Sequence, residues 1–157
     1  MIALTWNLLL ALIWVALWGE FTAANLVVGL IVGYLVLAFA LRDMPAFASY
    51  VAKVPRAIRF FFWFNRELIR SNLTVAYDVL TKTHYMRPGV IAVPLEASRD
   101  GEITIVANLI SLTPGTLSLD VSSDRKVLYI HVMYLTDEAE VVRSIKDLER
   151  RVLELMR

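Results

Sequence analysis

The 157-residue chain contains no cysteine. Disulfides, thiolate metal sites and cysteine nucleophiles are excluded together, and the redox compartment is left open. Histidine is nearly as scarce. His84 and His131 are the two present, so a metal centre would have to rest mainly on carboxylates, and neither metal nor cofactor is expected. The formal net charge is +1, which gives no reason to expect a nucleic-acid partner. Internal repeats and low-complexity tracts are also missing.

Charge is nearly absent from the first quarter, where Glu20 is the one charged side chain within residues 1–41. The chain as a whole is 58% hydrophobic, against about 45–50% for soluble domains, and its mean hydropathy is +0.60. Residues 42–87 are basic, carrying Arg42, Lys53, Arg56, Arg59, Arg66, Arg70, Lys82 and Arg87 against Asp43, Glu67 and Asp78. Acids outnumber bases in the remainder. This gradient predicts a transmembrane hairpin (1–41), a basic linker with an interfacial amphipathic helix (42–84) and a cytoplasmic domain (85–157).

The two apolar runs, 1–18 and 22–41, are separated by Gly19-Glu20-Phe21, and each approaches the roughly 20 residues of a spanning helix. A cleaved signal peptide would show a basic leader and no second apolar run directly behind it. Lys and Arg follow the second run and are missing between the two, so both termini are placed in the cytoplasm of a multi-pass protein, with Glu20 outside. Trp14 and Trp18 suit an interfacial belt. Gly29 and Gly33 form a G-x-x-x-G that lets a helix approach closely, and neighbouring subunits are its expected partners. Neither run holds an internal acid or base, which a proton or cation pathway normally needs.

Residues 57–80 are long enough to resemble a third span. At 100° per residue, however, Arg59, Arg66, Glu67, Arg70 and Asp78 share one face, while Ile58, Phe61, Leu68, Ile69, Leu73, Val79 and Leu80 share another. That pattern describes an amphipathic helix, lying in the bilayer interface or steeply tilted. Asn65 and Asn72, seven apart on the apolar face, are candidates for hydrogen bonds to a neighbouring helix; proximity to the water boundary explains them equally. Pro45 and Pro55 bracket the linker to this helix and argue against one continuous rod from the second apolar run.

Beyond Tyr85 the pattern changes to short segments. Residues 90–96, 118–122 and 127–133 read as strands, with Pro94 marking an edge. In 102–112, Ile103, Val106, Ala107 and Ile110 share a helical face while Thr104, Asn108 and Ser111 share another, so this segment reads as a helix. Thr136 is the expected N-cap of a C-terminal helix with Val141, Ile145, Leu148, Val152 and Leu155 on one side. The fold class is a membrane α-helical hairpin plus a small cytoplasmic α+β domain, ordered β-α-β-β-α.

Residues 108–120, NLISLTPGTLSLD, concentrate hydroxyls around a Thr-Pro-Gly break. Thr113-Pro114-Gly115-Thr116 fits a type II turn, with Gly115 supplying the positive φ. A phosphate loop would run from strand to helix and include a lysine, whereas the order here is reversed. A nucleophilic Ser111 would need a base, and His131 is the local candidate.

The apolar hairpin, the aromatic and Arg-rich collar, ANLISLTPGTLSLDV and then LYIHVM together resemble the E subunit of the multisubunit Mrp/Mnh-type cation/proton antiporter. Related subunits occur in antiporter-like arms of some archaeal respiratory complexes. The resemblance implies an accessory, non-enzymatic subunit of a prokaryotic plasma-membrane exchanger that aids monovalent cation efflux and pH homeostasis. Its partners would be the bilayer and other membrane subunits, and the ion path would belong mainly to those larger subunits. A different class of function is a membrane-tethered module binding a cytoplasmic ligand or ion through Thr104, Asn108, Ser111 or the turn.

Overall fold

The computed structural model describes residues 2–41, 44–82 and 86–157; the expectations placed on Arg42, Asp43 and His84 lie outside them. Three helices come first: α1 (Ile2–Trp18), α2 (Ala23–Ala40) and α3 (Pro45–Leu80). They are followed by β1 (Gly89–Pro94), α4 (Asp100–Leu112), β2 (Thr116–Val121), β3 (Val127–Val132) and α5 (Glu138–Met156). The chain divides into two compact units, Met1–Arg59 and Phe60–Arg157, so the collar helix contributes to both.

In the first unit, α1 stops where Gly19 adopts φ +70 and its N–H bonds the Val15 carbonyl at 3.1 Å, a glycine C-terminal cap. Thr22 then caps α2 by accepting from the Asn25 N–H at 3.2 Å. Of the described helices, α2 is long and apolar enough to cross a membrane, whereas the apolar α1 is shorter, at 17 residues. The helices run antiparallel. Ala3, Asn7, Ala11 and Val15 of α1 are buried, as are Gly29, Gly33 and Leu37 of α2. Four-residue spacing puts each set on one side of its helix.

As expected, the second apolar run and the collar helix are separate helices, α2 ending at Ala40 and α3 starting at Pro45; the expected start of the collar helix and the break at Pro55 are corrected. Helix α3 starts at Pro45, twelve residues before the anticipated 57, and continues through Pro55. Proline is well suited to the first turn, whose amide needs no partner. At position 55 it deprives the Val51 carbonyl of its usual donor, and the Tyr34 hydroxyl donates to that carbonyl instead, at 3.1 Å.

The second unit holds an antiparallel sheet in the order β1-β3-β2. Pro94 lies on an edge strand, where its missing N–H costs no ladder bond. Alternation along β3 turns Leu128, Ile130 and Val132 into a core with Ile91, Val93, Val106, Ile110, Ile145, Leu148 and Val152, and Phe60, Trp63 and Phe64 of α3 pack against it. Tyr129 and His131 therefore face the other side of the sheet. The cap of α5 is Asp137, not Thr136: its carboxylate accepts from the Ala139 and Glu140 amides at 2.9 and 3.4 Å. A charged acceptor bridging two amides at the positive end of the helix outcompetes a neighbouring hydroxyl.

Candidate functional site

The Thr113–Thr116 turn is the most densely tied part of the chain's hydroxyl-rich segment. Gly115 sits at φ +90, and the Thr116 N–H reaches the Thr113 carbonyl at 3.2 Å, as a type II turn requires. The side chains are then spent on the backbone. Thr116 donates to the Ile110 carbonyl at 2.7 Å, Thr113 to Leu109 at 3.1 Å, and Ser118 to Ala107 at 2.9 Å. Ser111 accepts from the Ser118 amide at 3.1 Å. Together these bonds splice the end of α4 to the start of β2 and occupy an amide on the free sheet edge. From α3, the Ser71 hydroxyl donates to the Pro114 carbonyl, so the corner also rests on the collar helix.

A cleft of about 330 Å³ borders this corner, lined by Arg70 and Ser71 of α3, Thr113 and Thr116 of the turn, and Glu140 and Ser144 of α5. Several of its hydroxyls are already committed to carbonyls, which suits a structural corner better than a ligand cradle. Asn108 stands exposed on α4. His131 pairs in register with Val90 and Leu117 on the sheet face opposite the α4-packed core, so the fold does not bring Ser111 and His131 together.

Gly29 and Gly33 meet α1 of the same chain rather than an open face. A Cβ added at Gly29 would lie 2.9 Å from the Ala11 carbonyl oxygen, and one at Gly33 would collide with the Asn7 Oδ1. The expectation that these glycines face other subunits is corrected, because the short interhelical loop makes α1 the nearest partner. Asn7, itself buried, donates to the Tyr50 hydroxyl at 2.6 Å. Asn65 and Asn72 direct their amide N–H groups to their own helix, bonding the Phe61 and Leu68 carbonyls at 2.8 Å each.

Sequence reasoning missed two carboxylates that organise the second unit. Glu149 of α5 is 1% exposed; it accepts from the Glu96 and Ala97 amides at 2.6 and 2.8 Å and from Lys146 at 2.8 Å. Glu102 of α4 is equally enclosed by protein and accepts from the Ser98 and Arg99 amides and from Arg157. The Arg157 guanidinium, then the Ser98 amide, hold its carboxyl down at about 2. The connection between β1 and α4 is thereby clamped from two helices. Readable signals existed: Glu102 at the third helical position follows the capping-box rule, and Glu149 falls four residues after Ile145 on the apolar stripe of α5.

Proteins of known sequence and structure match nearly all of this chain. The family described as Na+/H+ ion antiporter subunit matches residues 7–155. The chain is 39% identical to the Na(+)/H(+) antiporter E subunit of Alkalihalophilus pseudofirmus, over 95% of this chain and 94% of the relative. Against the corresponding E subunit of Bacillus subtilis it is 37% identical over 96% of each. A chain in the solved Mrp complex from Dietzia sp. DQ12-45-1b is 28% identical with a TM-score of 0.51, over 65% of this chain and 96% of that one. A chain of the membrane-bound sulfane sulfur reductase, an archaeal respiratory membrane complex, shares the fold at 24% identity and TM-score 0.58, over 96% and 98%.

Proposed function

Because the chain belongs to the Na+/H+ antiporter subunit family, we propose that it is the E subunit of a prokaryotic multisubunit cation/proton antiporter. Its work is to assemble and brace the membrane subunits, supporting cation efflux and pH homeostasis without catalysis and without an ion path of its own. The observation carrying this reading is that α1 and α2 contain no Asp, Glu, Lys or Arg. A relay across lipid normally uses such groups. What the helices bury instead is a small-residue seam and the Asn7–Tyr50 bond, which are packing devices.

In this proposal both α1 and α2 span the plasma membrane and the termini are cytoplasmic, since Lys53, Arg56 and Arg59 follow the hairpin and Glu20 marks the outer loop. Residues 42–84 form the basic linker and interfacial helix, and 85–157 the cytoplasmic domain. A separate ligand-binding module draws less support, because the turn hydroxyls are engaged by backbone carbonyls.

Complementation tests the function. In a strain lacking its own E subunit, this chain should restore sodium resistance and sodium-driven proton exchange in everted vesicles. An assembled complex that contains the chain and still fails to exchange would overturn an assembly role. Topology is separable: Glu20→Cys should react with an impermeant maleimide on intact cells, and Arg157→Cys only after permeabilisation. The reverse pattern would invert the orientation.

A further inference from the structure

The apolar stripe of α3 points away from its own domain. At 100° per residue, Phe62, Ile69, Leu73 and Leu80 fall within a band about 40° wide, and all four are exposed, Leu80 to 86%. The opposite face, carrying Phe60, Phe64, Ser71 and the buried Asp78, meets the sheet domain. The shoulders of the stripe differ. On one lie Arg66, Arg70 and Tyr77, which with Ile69, Leu73 and Thr74 line an open groove. On the other lie Asn65 and Asn72, with their amide donors satisfied inside the helix. Neither Arg66 nor Arg70 forms an ion pair among the described residues.

We propose that this groove seats anionic phospholipid: acyl chains cover Ile69 and Leu73, and the headgroup phosphate engages the Arg66 and Arg70 guanidiniums. This rests on the interfacial placement of α3 proposed above and adds a choice of lipid. Charge complementarity selects the occupant. Arginine stems lie along apolar surface while the heads reach the phosphate level, and guanidinium forks match phosphate oxygens. A covering protein helix would have to supply carboxylates opposite both arginines; a negatively charged leaflet supplies phosphates along the whole shoulder.

The cysteine-free sequence makes an introduced cysteine unique in this chain, and the test is made on the full chain within its assembled complex. Bimane attached at Leu73→Cys is reconstituted in phosphatidylcholine vesicles containing phosphatidylglycerol, with bromine carried on one lipid or the other. The proposal expects quenching by brominated lipid and little by aqueous iodide. Brominated phosphatidylglycerol should quench preferentially, and the preference should fall roughly fivefold for each of Arg66→Gln and Arg70→Gln, while Arg66→Lys and Arg70→Lys retain part of it. Equal quenching by both lipids refutes the anionic site and leaves the interfacial placement standing. Strong iodide quenching refutes both. A label shielded from lipid and iodide alike identifies a covering subunit and overturns the proposal.

Discussion

Replacing Gly33 by alanine drives a methyl carbon into the Asn7 Oδ1, well inside the 3.0 Å below which real Cβ contacts essentially never fall. Either the helices separate or the Asn7 amide turns away from Tyr50 and breaks the 2.6 Å bond. Overpacking of this kind costs about 1–3 kcal/mol, against a helix-propensity gain for alanine of roughly 1 kcal/mol. The obstacle is one side-chain atom, so Asn7→Ala should remove it. The next atoms to meet the new methyl are the Leu10 Cβ at 3.1 Å and the Asn7 carbonyl oxygen at 3.2 Å, which a small helix shift relieves. A double-mutant cycle should therefore return a coupling of about 1–2 kcal/mol, with Gly33→Ala nearly neutral once Asn7 is alanine. Gly29→Ala is the control: it meets the Ala11 backbone at 2.9 and 3.0 Å, and its cost should persist whatever happens at Asn7. Stability is read from SDS titration in mixed micelles by the fluorescence of Trp14, which borders the seam, with Trp6, Trp18 and Trp63 replaced by phenylalanine in every background. Equal costs for Gly33→Ala in both backgrounds would show that Asn7 is not the obstacle.

The Tyr34–Val51 bond predicts a second coupling: Tyr34→Phe should cost about 1–3 kcal/mol as an orphaned carbonyl, and less in Pro55→Ala, where residue 55 regains an N–H for Val51; equal losses by the same titration would count against it. The Glu102 carboxyl is held at about 2, below its ordinary 4.5, so its stabilisation is complete above about 4.5 and is lost as pH falls towards 2. Glu102→Gln should flatten that acid limb in unfolding followed by near-ultraviolet circular dichroism, and an unchanged difference across the window would remove the inference. Gly115→Ala forces a side chain into φ +90 and should cost about 1–2 kcal/mol, with faster hydrogen exchange at the Thr116 amide; unaltered protection there would mean the turn tolerates substitution.

The helix and strand pattern after residue 100 was legible because alternation and 3.6-residue spacing are local properties, and Pro114-Gly115 states its turn type outright. The continuity of α3 was not. Pro55 reads as a breaker until Tyr34, distant in sequence, is seen to occupy the carbonyl it frees. Helix α3 also inverted the simple rule that the apolar side faces the domain. Ile69 and Leu73 point outward, whereas Ser71 and Asp78 face inward because each finds a specific partner, the Pro114 carbonyl and the Tyr134 hydroxyl. At the Thr113–Thr116 turn, sequence alone located the corner; the destinations of its hydroxyls depend on carbonyls exposed only where α4 ends.

The middle strand of the sheet is the last of the three to be synthesised. Gly89 finds its partner in Val132, and Thr116 shares that same partner on the other side. During translation β1 therefore waits for about 40 further residues, roughly 2–8 s at ordinary elongation rates of 5–20 residues per second. Through that interval Ile91 and Val93 have no sheet to join, while the apolar hairpin has already left the ribosome. If the hairpin enters the bilayer early, as proposed, it holds the growing chain apart from its neighbours, and membrane insertion then safeguards the folding of the sheet.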